Sequence, residues 1–384
     1  MMQKKITILG GELLSALGTY EQRIRHLEES TNNVASKSFT ANGAGQSFPY
    51  YLIDDKARET SKEMVMGYLE EAVEALLKKV DLGAEALKRT ALFLGCSSID
   101  MSVAYPLEKS LEAGFEKTLP CQRVGNGYYA DALQNRFGLR GLAFTYNTAC
   151  TSSANALMDA AAMLESGMID HALVVGIELS AETTIEGFAS MQLLSPDAIR
   201  PFDKNRSGIV LGEAVSAVML SRDDVTPSSW HYLGGMSNCE TYSVTGANPN
   251  GEEISIVMRR ALENAGVQRE AIDAVKAHGT ASALNDTAEI NAMHAVFEKL
   301  PPFLSFKPYI GHTLGGCGTA ELLLMMESVD AGFIPASLNF TEGDEALDAL
   351  PLQQKLPLES GTFLMNFFGF GGNNTSYVVK KVVP

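Results

Sequence analysis

The chain has 384 residues, 46% hydrophobic and 20% charged, which is enough apolar material for at least one large core. That excludes a small disulfide scaffold and a disordered polar segment. Thirty Lys and Arg against 46 Asp and Glu leave a formal net charge of −16, which argues against a surface built for nucleic acid phosphates or anionic lipid, so an acidic partner would need a local basic patch.

In chain order, KKITILG reads as a first strand; two lysines before an apolar run look faintly like a leader, but Glu12 and two glycines interrupt it. SKEMVMGYLEEAVEALLKKV carries a helical period, and TALFLGC follows as a strand. FTYNTACTSSANALMDAAAMLESGMIDHALVVG then runs strand, tight turn, long small-residue helix, Ser-Gly stop and strand. HALVVGI is a buried strand, far short of the roughly 18 apolar residues of a membrane span. The second half echoes this unit: LSFKPYIGHTLGGCGTAELLLMMESVDAGFIPASL runs strand, turn, long helix, Ala-Gly stop and extended segment. The polar, proline-bearing SRDDVTPSSW is the expected seam, giving halves at 1–225 and 226–384. Strands alternating with helices predict an α/β fold of mostly parallel sheets, and the protein is expected to be soluble and cytoplasmic.

Five widely spaced cysteines without a Cys-x-x-Cys pair predict neither a disulfide framework nor a zinc ribbon. Cys150 lies in Asn147-Thr148-Ala149-Cys150-Thr151-Ser152-Ser153, just ahead of a helix, where unpaired N–H groups and the dipole favour thiolate, a nucleophile toward thioesters. The competing reading is a buried core thiol, and the small neighbours, which let a substrate approach, weigh against it. His278 in V-K-A-H-G-T-A-S and His312 in K-P-Y-I-G-H-T-L-G-G sit on glycine-bounded turns after strands, whereas His26, His171, His231 and His294 have surface or structural settings. Glu321, in an apolar helix, needs a partner, and Lys307 is the nearest candidate in sequence. Asn366-Phe367-Phe368-Gly369-Phe370-Gly371-Gly372-Asn373-Asn374 mixes phenylalanines that could gate an apolar tunnel with glycines that permit close backbone approach. No P-loop, convincing dinucleotide fingerprint or metal-ligand spacing occurs, so neither a bound nucleotide nor a metal is expected.

Taken in order, T-A-C-T-S, R-P-F-D-K-N-R-S-G-I-V-L-G-E, A-H-G-T, K-x-x-x-G-H-x-x-G and N-F-F-G-F-G-G-N-N closely resemble the elongating β-ketoacyl synthases, strongly over 140–380 and loosely before it. The resemblance implies a thiolase-like fold, two similar halves in a layered αβαβα arrangement, and a dimer. It implies Cys150 as the nucleophile that takes the acyl chain, and His278 and His312 as donors to the malonyl thioester oxygen during loss of carbon dioxide. Lys307 and Glu321 match the supporting ion pair, and the backbone N–H groups of Cys150 and Phe368 match an oxyanion hole. Thr280 and Ser282 stand where the family binds the phosphopantetheine arm that acyl carrier protein delivers; Phe188 and Phe368 match positions lining or gating the acyl pocket. No bound cofactor is implied. The second histidine separates the chain from initiating ketosynthases and thiolases, and the retained Cys150 from noncatalytic chain-length factors, the alternative being such a pocket-shaping partner subunit.

Departures are Ser153 for a usual glycine, Ser282 for threonine, Pro308 after Lys307, L-G-E-A-V for a more common glycine-rich continuation, and Gln192 where fatty-acid enzymes often carry a carrier-facing arginine. They suggest a type II polyketide or aryl polyene pathway over housekeeping fatty acid synthesis. Arg58, Lys62, Lys204 and Arg206 are the candidate carrier-protein patch, and a homodimer or a heterodimer with a chain-length factor both fit.

Overall fold

The computed structural model describes residues 6–41, 44–54, 61–99 and 125–383. Ten strands form one hydrogen-bonded sheet series, numbered here in chain order: β1 Ile6–Ser15, β2 Ala91–Gly95, β3 Ala143–Tyr146, β4 His171–Glu178, β5 Ala214–Arg222, β6 Trp230–Cys239, β7 Ala274–Lys276, β8 Phe303–Leu304, β9 Gly361–Phe368 and β10 Asn373–Lys381. The first five lie in the order β3-β2-β4-β5-β1 and the last five in the order β8-β7-β9-β10-β6. In each set the third, second and fourth strands of the set run parallel, and the fourth, fifth and first pair antiparallel. The two halves therefore repeat one topology, and they join where Ile6, Thr7 and Ile8 of β1 pair with Tyr232, His231 and Trp230 of β6.

Eight helices matter for the layers: α1 Tyr20–Glu29, α2 Lys62–Lys79, α3 Gly127–Phe137, α4 Ser152–Ser166, α5 Glu182–Ser190, α6 Glu252–Ala265, α7 Ala283–Val296 and α8 Cys317–Asp330. α2 starts where Ser61 Oγ accepts from Met64 N, and Val65, Leu69, Ala72, Val73 and Leu76 place its apolar stripe on one face, as an outer helix needs. α8 is different: twelve of its fourteen residues are buried, because it lies between layers and has almost no solvent face. α4 meets it through small residues, Ser153 and Ala154 facing Gly318 and Thr319.

Three of the four apolar clusters among the described residues follow from this layering. One joins α2 and α3 to the first half's sheet, a second joins α4 and α8 to both halves, and a third joins α6 and α7 to the second half's sheet. Strand β4 is buried at every position, which explains its unbroken apolar run: both of its faces are covered. The stretch after β8 is a departure from the sequence reading, since Lys307–Ile310 forms a helical turn. Pro308 stands in the first turn, where a missing N–H costs nothing, so its unusual place after Lys307 carries no strain.

Candidate active site

The two strand-to-helix turns set the site. Thr148 leads into the 3-10 turn Ala149–Thr151 and then α4; Thr313 leads into the 3-10 turn Leu314–Gly316 and then α8. In both turns a non-glycine residue takes positive φ, 52° at Ala149 and 38° at Leu314, a conformation that costs about 1–3 kcal/mol. The residue that follows Ala149 is Cys150; the residue that follows Leu314 is Gly315. The internal echo thus holds in the backbone, while the reactive side chain of the second turn, His312, stands three residues earlier.

Polar partners hold these turns. Ser152 Oγ accepts from Thr148 N at 2.9 Å and donates to Ala149 O at 2.7 Å. The buried Glu178, at the end of β4, accepts from Gly315 N at 3.0 Å and from the backbone and hydroxyl groups of Ser97 and Ser98. Cys317 donates its thiol to the Cys150 carbonyl at 2.9 Å, joining the two helix starts.

His312 Nε2 lies 3.1 Å from Cys150 Sγ. The His278 ring stands edge-on to it, with centroids 5.4 Å apart, and packs against Phe368 at 5.7 Å. Behind His278, Lys307 Nζ reaches His278 O at 2.6 Å and Nδ1 at 3.3 Å. An ammonium has only donors, so Nδ1 accepts and the ring proton resides on Nε2. Glu321 Oε1 pairs with Lys307 at 2.8 Å, and Oε2 with Lys276 at 2.6 Å, all three side chains being inaccessible to solvent.

Burial, reinforced by Lys307, holds both imidazoles well below the ordinary histidine range, so both are neutral. Burial of Lys307 works against its charge, but the Glu321 carboxylate outweighs it and keeps the ammonium protonated. The expectation that Cys150 rests as a thiolate is corrected: burial pushes the thiol up to about 11, although Lys307 and the N–H groups of Phe370 and Cys150 pull the other way. The second N–H at the sulfur is thus that of Phe370, two residues past Phe368.

A narrow pocket brings together Cys150, His278, His312, Thr280, Ser282, Phe188, Phe368 and Phe370. Phe188 on α5 stacks on Phe370 at 5.4 Å, forming one aromatic wall. Lys307 and Glu321 stand behind this lining. The proposed carrier patch is not drawn together in the same way. Lys204 pairs with Glu342 at 2.5 Å, Arg206 with Asp344 at 2.7 Å, and Lys62 lies 5.0 Å over the Tyr128 ring; Arg58 is outside the described residues.

Three acidic residues and one lysine of the site escape sequence reasoning. Glu289 accepts from His278 N at 2.8 Å and Gly279 N at 2.9 Å, and Asp286 from Thr280 N at 3.0 Å and Phe202 N at 2.7 Å, so α7 carries the carboxylates that shape the A-H-G-T loop. Glu178 and Lys276 are the others. The signal available was spacing: Asp286 and Glu289 are three apart on one helix that follows His278 closely.

Residues 22–225 match the family described as Beta-ketoacyl synthase, N-terminal domain, and residues 231–341 the family described as Beta-ketoacyl synthase, C-terminal domain. The chain is 27% identical over 421 residues to the chloroplastic 3-oxoacyl-[acyl-carrier-protein] synthase I of Arabidopsis thaliana, covering all of this chain and 88% of that one. It is similar to a solved ketosynthase (ApeO) in complex with its chain length factor (ApeC) from Xenorhabdus doucetiae, with a TM-score of 0.83, 25% identity, and 99% and 98% of the two chains covered. The ishigamide ketosynthase/chain length factor shares the fold at a TM-score of 0.87 and 24% identity over 99% of this chain and all of that one. Among the described residues no helix is long and apolar enough to cross a membrane.

Proposed function

Because the chain belongs to the β-ketoacyl synthase family, we propose that its Cys150 cavity condenses a Cys150-bound acyl chain with a malonyl unit presented on acyl carrier protein. The observation that carries this reading is the thiol 3.1 Å from His312 Nε2, with His278 beside it and its tautomer set by Lys307.

The first step is transfer. The Cys150 sulfur attacks the acyl thioester, the new S–C bond forms as the carrier S–C bond breaks, and the thiol proton passes through neutral His312 to the departing carrier thiolate. A thiol at about 11 does not wait as thiolate, so deprotonation accompanies attack. Negative charge builds on the acyl oxygen, where the N–H groups of Cys150 and Phe370 receive it.

The second step is decarboxylation. The malonyl C–C bond breaks, carbon dioxide leaves, and the electron pair moves onto the thioester as an enolate. With the sulfur now acylated, the neutral imidazoles of His278 and His312 face that oxygen as N–H donors, His312 after its one ring proton has moved from Nδ1 to Nε2 by exchange with water, and Lys307 keeps His278 in the donating tautomer. The enolate carbon attacks the acyl carbonyl, the Cys150 sulfur leaves, and one proton from solvent restores the thiol. No bound metal or organic cofactor enters any step; the phosphopantetheine arm comes with the carrier, passing Thr280 and Ser282.

The departures at Ser153, Ser282 and Gln192, together with the likeness to a ketosynthase that works beside a chain length factor, support a polyketide or aryl polyene setting with a ketosynthase-like second subunit. Intact-mass analysis after mixing with acyl-loaded carrier protein tests the reading. The acyl mass is expected on the wild-type chain and absent from Cys150→Ala, which still releases carbon dioxide from malonyl-carrier. A folded wild-type chain that takes no acyl group, with and without the second subunit, would overturn it in favour of a pocket-shaping partner.

A further inference from the structure

Lys276, on β7 two residues before His278, is used by no step above, yet it is built into the site. Its solvent-inaccessible ammonium donates to Glu321 Oε2 at 2.6 Å and to the Asn366 carbonyl, and lies 3.4 Å from the centre of the Phe367 ring. A carboxylate, a carbonyl and an aromatic face are three acceptors for three N–H bonds. Glu321 has only one negative charge, and Lys307 takes its other oxygen at 2.8 Å. Two buried ammoniums therefore share Glu321, with Glu289 the next carboxylate near Lys276, and protonation of Lys276 adds one positive charge directly behind the histidines.

We propose that Lys276 is a positioning residue for the malonyl half-reaction: by occupying half of Glu321 it leaves Lys307 under-compensated, so that the site presents one more positive charge to the enolate while Lys276 is protonated. The same ammonium ties β7, which leads to His278, to β9, which leads to Phe370. This rests on the reading of the Cys150 cavity as a malonyl-decarboxylating site.

The groups facing Lys276 decide the sign. Glu321 and Cys317 face it from α8, Lys307 from the turn after β8, Glu289 from α7, and His278 and His312 from their turns. Burial, reinforced by Lys307 and only partly offset by Glu321, brings its ammonium down to about 8. Below that pH the cluster carries this added positive charge. Above it, Lys276 is neutral, Glu321 compensates Lys307 alone, and the enolate loses the attraction. Decarboxylation is expected to fall to a lower plateau, about tenfold below, as expected for one buried charge a few ångströms from the reacting oxygen.

The test reads carbon dioxide release from malonyl-carrier by Cys150→Ala protein between pH 6 and 9.5, with and without Lys276→Met. The parent is expected to lose rate near pH 8, whereas the Lys276→Met protein stays on the lower plateau throughout, with kcat down about tenfold and KM within about twofold. A folded Lys276→Met or Lys276→Gln protein that keeps the parent's alkaline limb overturns the proposal. If neither variant folds, Nζ NMR of 15N-lysine-labelled unaltered protein decides: a lysine titrating in step with the rate supports it, and none between pH 7 and 9 overturns it. Absence of any decarboxylation by folded Cys150→Ala would instead count against the function reading itself.

Discussion

Both oxygens of Glu289 are occupied by donors: Oε1 accepts from His278 N at 2.8 Å and Asn366 Nδ2 at 3.3 Å, and Oε2 accepts from Gly279 N at 2.9 Å. An amide cannot replace this carboxylate, because either flip turns an NH2 group toward a backbone N–H. Leaving one buried donor unpaired costs about 1–3 kcal/mol, and the loop that carries His278 is the part free to move. Glu289→Gln is therefore expected to lower malonyl decarboxylation at least about tenfold, while acylation of Cys150, which uses His312 in the proposed reaction, stays within about twofold. Decarboxylation assays beside mass-spectrometric acylation rates check this; equal losses in both would show that Glu289 supports the whole site and not His278 alone. Cys150, His278 and His312 were legible because small residues and glycines around a reactive side chain are an unusual local pattern. Glu289, Asp286 and Glu178 were not, since a carboxylate in a helix or at a strand end looks in sequence like a solvated face. Lys276 was hidden for the same reason: only the fold puts Glu321, Asn366 and Phe367 around it.

Helix α8 shows how an element can be legible while its packing is not. The apolar run GTAELLLMM and the Ala-Gly stop announce a buried helix, but nothing in them says which neighbour it meets. In the structure, its second residue, Gly318, lies so close to α4 that an added Cβ would overlap the backbone nitrogen of Ala154. Ser153 Oγ accepts from Thr319 N at 3.3 Å, so the departure from glycine at Ser153 supplies a hydrogen bond at the same crossing. Gly318→Ala would gain about 1 kcal/mol in helix propensity, yet backbone against Cβ cannot relax as a flexible side chain can. A net loss of about 2–4 kcal/mol is expected, and it should be accompanied by lower Cys150 acylation because the two helix starts carry the turns proposed to be catalytic. Denaturant unfolding checks the stability, and a variant as stable as the parent would mean that α4 and α8 separate more easily than their contacts indicate. The internal repeat was legible at the level of strand, turn and helix because both halves bury the same pattern of apolar runs. Its register was not, because Leu314 and Gly315 align with Ala149 and Cys150 only through their backbone angles.

At the scale of the whole molecule, a net charge of −16 must be reconciled with an acidic carrier. The sequence suggested a patch that includes Lys204 and Arg206, but charge at a position is not charge available to a partner. Lys204 is tied to the exposed Glu342, which holds the lysine protonated, and Arg206 is tied to Asp344. Sequence separation hid these pairs: Glu342 is 138 residues from Lys204, and only the return of the chain after α8 brings them together. A surface pair of this kind contributes little stability and is easily exchanged, so the carrier's carboxylates would compete with Glu342 for the same ammonium. Removing that competitor should help binding. Glu342→Gln is expected to lower KM for acyl-carrier about two- to threefold at low ionic strength, with the advantage fading as salt shortens the reach of the freed charge. Cys150 acylation with bound carrier should be unchanged, because Lys204 lies outside the cavity that holds the sulfur. Steady-state kinetics at low and at high salt measure both parameters. An unchanged KM at low salt would move the docking surface away from Lys204 and Arg206 to another part of this acidic molecule or to the proposed second subunit.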